Sequence, residues 1–268
     1  MNLQYLLSPW IDVDLQSIDI LHIENDSRKV VPGTLFFAYP GYLVDGRNYI
    51  SSAIEQGAIA VVYESTGFAL PIDAMVPCIG IDGLKDKLAA ISARFYANPS
   101  NRLKVIGITG TNGKTTVAYQ LAAAYSALDE KSAYIGTIGQ GLIGNLKTLA
   151  NTTPDGMCLQ KLFATYLKQR VTTVCMEVSS HALCEGRVNN IDFVEAIYTN
   201  LSREHLDYHK TMLQYAAAKA RLFTNTNLQR AVINIDDQYA NIMLAACPEV
   251  CEVFTYGFSE EADFQAYA

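Results

Sequence analysis

One stretch constrains this chain more than any other. Residues 103–109 (LKVIGIT) read as an apolar, β-branched strand. Gly110-Thr111-Asn112-Gly113-Lys114-Thr115-Thr116 follows at once, and a helical pattern runs from about 115 to 128. A strand, a Gly-rich turn and a helix in immediate succession open a βαβ unit, which commits the chain to a mostly parallel sheet. The glycines let the backbone curl so that successive N–H groups converge on phosphate oxygens. The helix N-terminus adds positive dipole character at the same spot. Lys114 is placed to put its ammonium on the β/γ-phosphates, and the Thr115 hydroxyl to ligate Mg²⁺. The strict phosphate-loop pattern wants glycine at position 108, but Ile108 stands there and the glycine is one earlier, at Gly107. The bland alternative is a Gly-rich turn with an incidental lysine. Strand, GKTT and helix together argue against it.

The rest of the chain continues the alternation. Strands are expected at 34–38, 58–63, 133–137, 172–178, 196–199 and 231–235. Helices are expected at 49–56, 84–96, 159–170 and 215–223. Asn98-Pro99-Ser100-Asn101 interrupts the pattern and marks a domain boundary, with one domain over 1–100 and a second over 101–268. The fold class is therefore α/β: a small N-terminal α/β domain, then a mostly parallel P-loop ATPase-type sheet flanked by helices. Ligands of such sheets bind beyond the carboxyl ends of the strands.

Composition narrows the function classes. Lys plus Arg is 20 and Asp plus Glu 27, a formal net charge of −7. An acidic chain without a Lys/Arg cluster is not a generic nucleic-acid binder. With 50% hydrophobic and 18% charged residues, the chain has a globular composition and not a disordered one. The N-terminus has no basic region and no long apolar run, so it is no secretory signal, and no stretch has the roughly 20 apolar residues of a membrane helix. The six cysteines are scattered, and the Cys247/Cys251 pair lacks a second pair or close His to complete a zinc site. A reduced, cytoplasmic protein is expected, with no membrane partner and a monomer by default.

The motifs then form an ordered set. Asp26-Ser27-Arg28-Lys29-Val30, Pro32-Gly33, Leu35-Phe36-Phe37-Ala38, Asp45-Gly46-Arg47 and Tyr49-Ile50 come first. Asn151-Thr152-Thr153-Pro154, Met176-Glu177-Val178-Ser179-Ser180-His181 and Thr199-Asn200-Leu201 follow TGTNGKTT. His205-Leu206-Asp207-Tyr208-His209 and Ala217-Ala218-Lys219 complete the set. Each is weak alone. In this order and spacing they resemble the Mur ligases, and within them the branch of UDP-N-acetylmuramoyl-tripeptide synthetases that adds the third amino acid.

The resemblance implies an ATP-dependent amide ligase of peptidoglycan synthesis. Its substrates would be UDP-N-acetylmuramoyl-L-alanyl-D-glutamate and an amino acid, diaminopimelate or, as runner-up, lysine. The glutamate carboxylate would attack the γ-phosphate to give an acyl phosphate, which the incoming amine displaces. The resemblance also implies residue roles. Gly110, Thr111, Asn112, Gly113, Lys114, Thr115 and Thr116 would bind ATP. Thr115, Glu177 and His205 would serve the Mg²⁺ sites, with Glu177 at the end of its strand where a hard oxygen ligand suits Mg²⁺. Lys219 would be carbamylated, a change that needs a lowered lysine pKa. Asn25, Ser27 and the segment Tyr42-Leu43-Val44 would contact the UDP part, although the last departs from a common His-Gln-Ala version. Asn151, Thr152, Thr153, Ser179, Glu185 and Arg187 would face the muramoyl peptide; Arg187 can fork onto two oxygens. Glu185 stands where the family often has Gln, a negative charge beside an anionic substrate. His209 is assigned a structural place, and His22 and His181 no role.

Two competing classes are a different Mur ligase, such as the one that adds D-alanyl-D-alanine to the UDP-muramoyl tripeptide, and a non-catalytic module that binds nucleotide and UDP-sugar. A folylpolyglutamate synthetase is disfavoured by the N-terminal DSR…PGTLFFA segment. The Asp-Asn-Pro-Arg motif of the family's amino-acid-selecting domain does not occur. The expectation is therefore a fragment: a first domain and an incomplete ATPase domain, inactive in ligation by itself.

Overall fold

The computed structural model describes residues 1–11, 18–41, 44–70 and 74–267. It divides into two compact units, Met1–Ala97 and Asn98–Ala268.

The first unit holds α1 (Leu3–Leu7), β1 (His22–Glu24), β2 (Thr34–Ala38), α2 (Ile50–Glu55), β3 (Ala58–Glu64), β4 (Cys78–Ile81) and α3 (Leu84–Phe95). Its four strands pair in the order β1-β2-β3-β4, all parallel. Every residue of β2 is buried, which is why TLFFA reads as an unbroken apolar run: a parallel strand covered on both faces has no polar side. The carboxylate of Glu64 accepts from Gly83 N (3.1 Å) and Leu84 N (2.8 Å), satisfying the first free N–H groups of α3.

The second unit holds β5 (Lys104–Thr109), α4 (Lys114–Ala127), β6 (Ser132–Gly136), β7 (Gly139–Leu142), β8 (Asn145–Lys147), α5 (Gly156–Lys168), β9 (Thr173–Glu177) and α6 (Ser180–Cys184). It continues with β10 (Phe193–Tyr198), α7 (Leu206–His209), α8 (Met212–Ala220), β11 (Arg230–Asn234), α9 (Ala240–Leu244), β12 (Glu252–Gly257) and β13 (Phe264–Gln265). The nine-stranded sheet runs β13-β12-β11-β10-β5-β9-β6-β7-β8. It is parallel from β13 to β6, and the β7–β8 hairpin extends it antiparallel. The phosphate-loop strand β5 is thus central, between β10 and β9.

Strand alternation sorts its two faces. Val105, Ala133, Val174 and Met176 join Leu159 and Phe163 of α5 and Tyr215 of α8 in one core. Ile106, Ile108, Tyr134 and Cys175 join Ala118 and Ala122 of α4 in another. Buried Leu, Phe and Ile side chains of this kind contribute roughly 1.5–3 kcal/mol each by leaving water.

The mostly parallel sheet flanked by helices is the expected one, with shifted ends. The helix expected at 159–170 begins at Gly156, because the Asp155 carboxylate accepts from Cys158 N at 2.9 Å and caps it earlier. The helix expected at 215–223 begins at Met212 and tightens into a 3₁₀ turn at Arg221–Thr224. The β7–β8 hairpin and β12–β13 carried too little periodicity to be read from sequence. Gly139, Gly141 and Gly144 take positive φ through the hairpin, a conformation that suits glycine. Among the described residues, no helix is long and apolar enough to cross a membrane.

Candidate functional site

The site is built at the carboxyl end of β5. Gly110 (φ +151°) and Gly113 (φ +84°) bend the chain between β5 and α4. A methyl group at Gly110 would overlap Thr199 Oγ1, so the loop after β10 packs directly on bare backbone. That second loop holds the first. Thr111 N donates to Asn200 O (2.8 Å) and Asn112 N to Asn200 Oδ1 (3.0 Å). Thr199 Oγ1 donates to Asn112 O (2.7 Å), and Ser202 N to Thr111 Oγ1 (3.0 Å). The second loop is anchored in turn from β11 and the turn after it. Asn234 Nδ2 donates to Thr199 O (2.8 Å), and Asp237 Oδ2 accepts from Leu201 N (2.7 Å).

Two amines meet under the loop. Lys114 Nζ donates to Gly110 O (3.0 Å) and Thr111 O (2.8 Å), and Lys219 Nζ to the same Gly110 O (2.7 Å). Lys219 is 1% exposed and stands 4.6 Å from the Tyr215 ring centre. Burial, and then the nearby Lys114 charge, pull its pKa down from 10.5 to about 7. Burial also lowers the pKa of Lys114, against the opposing pull of Glu177 and Glu204.

Glu177 ends β9 and is 1% exposed. Its Oε1 accepts from the Tyr134 hydroxyl and from Thr137 N (2.8 Å). Its Oε2 accepts from Thr115 Oγ1 (2.9 Å) and Thr137 Oγ1 (3.2 Å). A carboxylate and a hydroxyl in contact at the mouth of the loop are two hard oxygen donors, a set that fits Mg²⁺. Among the described residues no group of three or more His, Cys, Asp or Glu side chains is placed to hold a metal by itself. A Mg²⁺ here would draw its remaining ligands from water and phosphate, as that ion commonly does.

His205 is exposed, and its φ of +54° is unusual for a residue with a Cβ. Its ring meets His181 edge-on at 5.0 Å and Tyr215 at 6.1 Å. His209 is buried, stacks on Tyr215 at 4.7 Å, and places Nε2 2.8 Å from Ser180 Oγ. Tyr215 OH lies 3.3 Å from Thr111 Oγ1. His205 thus reaches the phosphate loop through Tyr215, the ring that also covers Lys219.

The residues expected to meet the muramoyl peptide fall beside Glu177. Thr153 Oγ1 donates to Glu177 O (2.9 Å) and accepts from Ser179 N (3.1 Å); Thr152 Oγ1 is 3.1 Å from Thr137 Oγ1. Ser179 caps α6 through Ala182 N. Arg187 donates to Thr153 O (3.1 Å) and, through Nε and Nη2, to Glu185 Oε2 (2.9 and 2.7 Å). The odd negative charge of Glu185 is therefore the partner of Arg187. Asn151 and Thr116 are exposed, the first in the bend before Thr152 and the second in the first turn of α4.

In the first unit, Asn25 Nδ2 donates to Tyr39 OH (2.9 Å), and Ser27 starts a 3₁₀ turn capped by Asp26. Tyr42 and Leu43 lie outside the described residues, and Val44 is exposed.

Sequence reasoning missed Tyr134, Thr137 and Ser202 as parts of the site. It read Thr199-Asn200 only as a motif of resemblance. A strand tyrosine two residues before the glycine of Gly136-Thr137 was the available signal for the first. Two cavities of about 500 and 600 Å³ open near Phe193 and Leu103, where β10 and β5 begin, and include none of these groups. The Lys114, Lys219 and Glu177 cluster lies at the other end of the strands.

Comparison with known proteins identifies relatives of the chain. The family model described as Mur ligase middle domain matches residues 108–267, and that described as Mur ligase family, catalytic domain, matches 19–96. The chain is 41% identical over 266 residues to the UDP-N-acetylmuramoyl-L-alanyl-D-glutamate–2,6-diaminopimelate ligase of Chromobacterium violaceum, covering 98% of this chain and 54% of that protein. It is 44% identical over 248 residues to the ligase of the same name from Neisseria meningitidis serogroup A, covering 91% and 50%. A solved structure of a ligase with that name superposes with a TM-score of 0.83 at 34% identity, over 98% of this chain and 54% of the other. The chain spans about half the length of the curated relatives it matches.

Proposed function

The chain belongs to the Mur ligase family, and from that premise we propose that it supplies the UDP-sugar and ATP sites of a cytoplasmic ligase of peptidoglycan synthesis. The reaction joins an amino acid, diaminopimelate, to UDP-N-acetylmuramoyl-L-alanyl-D-glutamate. The relatives' names support that substrate pair. Residues 1–100 take the UDP part, with Asn25 and Ser27. Residues 101–268 take ATP, with Gly110 to Thr116.

The observation that carries this reading is the convergence of Lys114, Lys219, Thr115 and Glu177 on one loop. A carboxylate is a poor electrophile, so it must be activated by phosphoryl transfer, and the charge on the moving phosphoryl must be neutralised. Lys114 turns from its loop carbonyls to the β/γ-phosphates. Thr115 and Glu177 would hold Mg²⁺, with His205 at the second metal site, and the ion would supply charge neutralisation on the phosphates. Lys219, buried with a lowered pKa, is suited to attack CO₂ through its neutral nitrogen and release a proton, leaving a carbamate anion beside the metal. Thr152, Thr153, Ser179 and Arg187 orient the muramoyl peptide so that its carboxylate faces the γ-phosphate.

The test is ATP binding to this polypeptide by calorimetry, with Lys114→Ala in parallel. The variant is expected to bind at least tenfold more weakly, a loss of about 1.4 kcal/mol or more. Equal affinity would remove the phosphate-loop assignment.

A further inference from the structure

The proposed metal pair has a neighbour that neither the motifs nor the family matches assign. Tyr134 lies in β6 and is fully buried. Cα register pairs it with Cys175 of β9, so Glu177 is its diagonal neighbour on the same face. Its ring is fixed edge-on against Tyr119 of α4 at 5.8 Å. Its hydroxyl donates to Glu177 Oε1. The pair sits so close to the backbone that a methyl group at Gly136 would overlap both Glu177 Oε1 and the Tyr134 hydroxyl.

The consequence is a carboxylate with one oxygen held by fixed donors. Oε1 takes the ring-fixed Tyr134 hydroxyl and the backbone Thr137 N, while Oε2 accepts only from side-chain hydroxyls that can rotate away, Thr115 Oγ1 and Thr137 Oγ1. We propose that Tyr134 is a positioning residue: it locks the Glu177 carboxylate so that Oε2, beside the Thr115 hydroxyl, is the oxygen presented to the divalent cation of the nucleotide complex. This rests on the reading of Glu177 and Thr115 as the metal pair. Groups that orient a metal ligand without touching the metal typically change metal affinity by about 10–100-fold when removed.

The experiment is a Mn²⁺ titration of the ADP complex followed by electron paramagnetic resonance, with ADP affinity in EDTA measured beside it. Tyr134→Phe keeps the ring and removes only the hydroxyl. It is expected to weaken Mn²⁺ affinity about 10–100-fold and to leave ADP affinity in EDTA unchanged. In a Glu177→Gln background, Tyr134→Phe is expected to add no further loss. Mn²⁺ affinity of Tyr134→Phe within about twofold of the parent, with Glu177→Gln impaired, overturns the proposal and leaves the metal site standing. An equal loss in EDTA also overturns it, since that is the signature of packing. A parent with no metal-dependent binding removes the metal site and the proposal with it. If Tyr134→Phe does not fold, Tyr134→Met is read by the same criteria.

Discussion

Lys114 and Lys219 donate to one acceptor, the carbonyl oxygen of Gly110, at 3.0 and 2.7 Å. Two ammonium groups sharing an oxygen repel, and Lys219 is the more deeply buried. The pair therefore concentrates on Lys219 the tendency to lose its proton.

Lys219→Met is expected to stabilise the chain, most strongly at low pH. The folded amine titrates near 7 and the free amine near 10.5. Below pH 7 both states hold the proton, and the folded state bears the whole burial cost. Between 7 and 10.5 the unfolded state binds more protons, so stability of the parent rises with pH and the advantage of the variant shrinks. At about 1.4 kcal/mol per pKa unit the gain is bounded by about 5 kcal/mol. Urea melts in CO₂-free buffer at pH 6 and pH 9.5 measure it. A pH-independent difference would contradict this.

His209 acts in the same direction, in a more acidic window. Burial, then His181, Lys219 and His205, hold its pKa down from 6.5 to about 4. The unfolded state takes up the proton first, so stability is complete above about pH 6.5 and is lost progressively down to pH 4. His209→Phe retains a ring against Tyr215 but cannot titrate. Its melting temperature is expected to fall less than that of the parent between pH 6.5 and 4.5, by an amount that corresponds to at most about 3 kcal/mol. Parallel acid profiles would refute the assignment.

Gly110→Ala is expected to open the clamp between the two loops. The methyl group overlaps Thr199 Oγ1, and the φ of +151° is one that a side chain rarely adopts. Strain of this kind costs about 1–3 kcal/mol. Nucleotide affinity is expected to fall about tenfold or more, since Thr199 can no longer hold Asn112 O. Calorimetry with ADP gives the answer, and unaltered affinity would show that the clamp does not shape the loop.

Glu185→Gln is expected to strengthen binding of UDP-N-acetylmuramoyl-L-alanyl-D-glutamate. Glu185 Oε2 occupies both Nε and Nη2 of Arg187, in a partly exposed pair. Exposed pairs of this kind are worth about 0–1 kcal/mol, so the gain is no more than about fivefold. Arg187→Ala is expected to weaken binding in the same assay. A Glu185→Gln variant that binds more weakly would mean that Glu185 is needed to aim Arg187.

Local sequence carried the central frame. The run at 103–109, the TGTNGKTT turn and the strand at 172–178 were legible because burial on both faces demands continuous β-branched residues, and a phosphate loop demands glycine and lysine at short range. Lys219 was not legible as a buried amine. Its neighbours in YAAAKARLF are the small residues of an ordinary helix, and what desolvates it is Tyr215 and the Gly110 carbonyl 109 residues away. Glu185 read as a misplaced charge until Arg187 was seen to hold it.

Sequence by itself determined the α/β class, the position of the phosphate loop and the family resemblance, since those depend on residue types at fixed short spacing. Tertiary structure decided which groups the loop meets. Strand register set Tyr134 diagonal to Glu177, and the sheet order set the Thr199–Ser202 loop of β10 beside the loop of β5. Neither follows from local pattern, because pairing between distant strands is selected by the packing of the whole sheet.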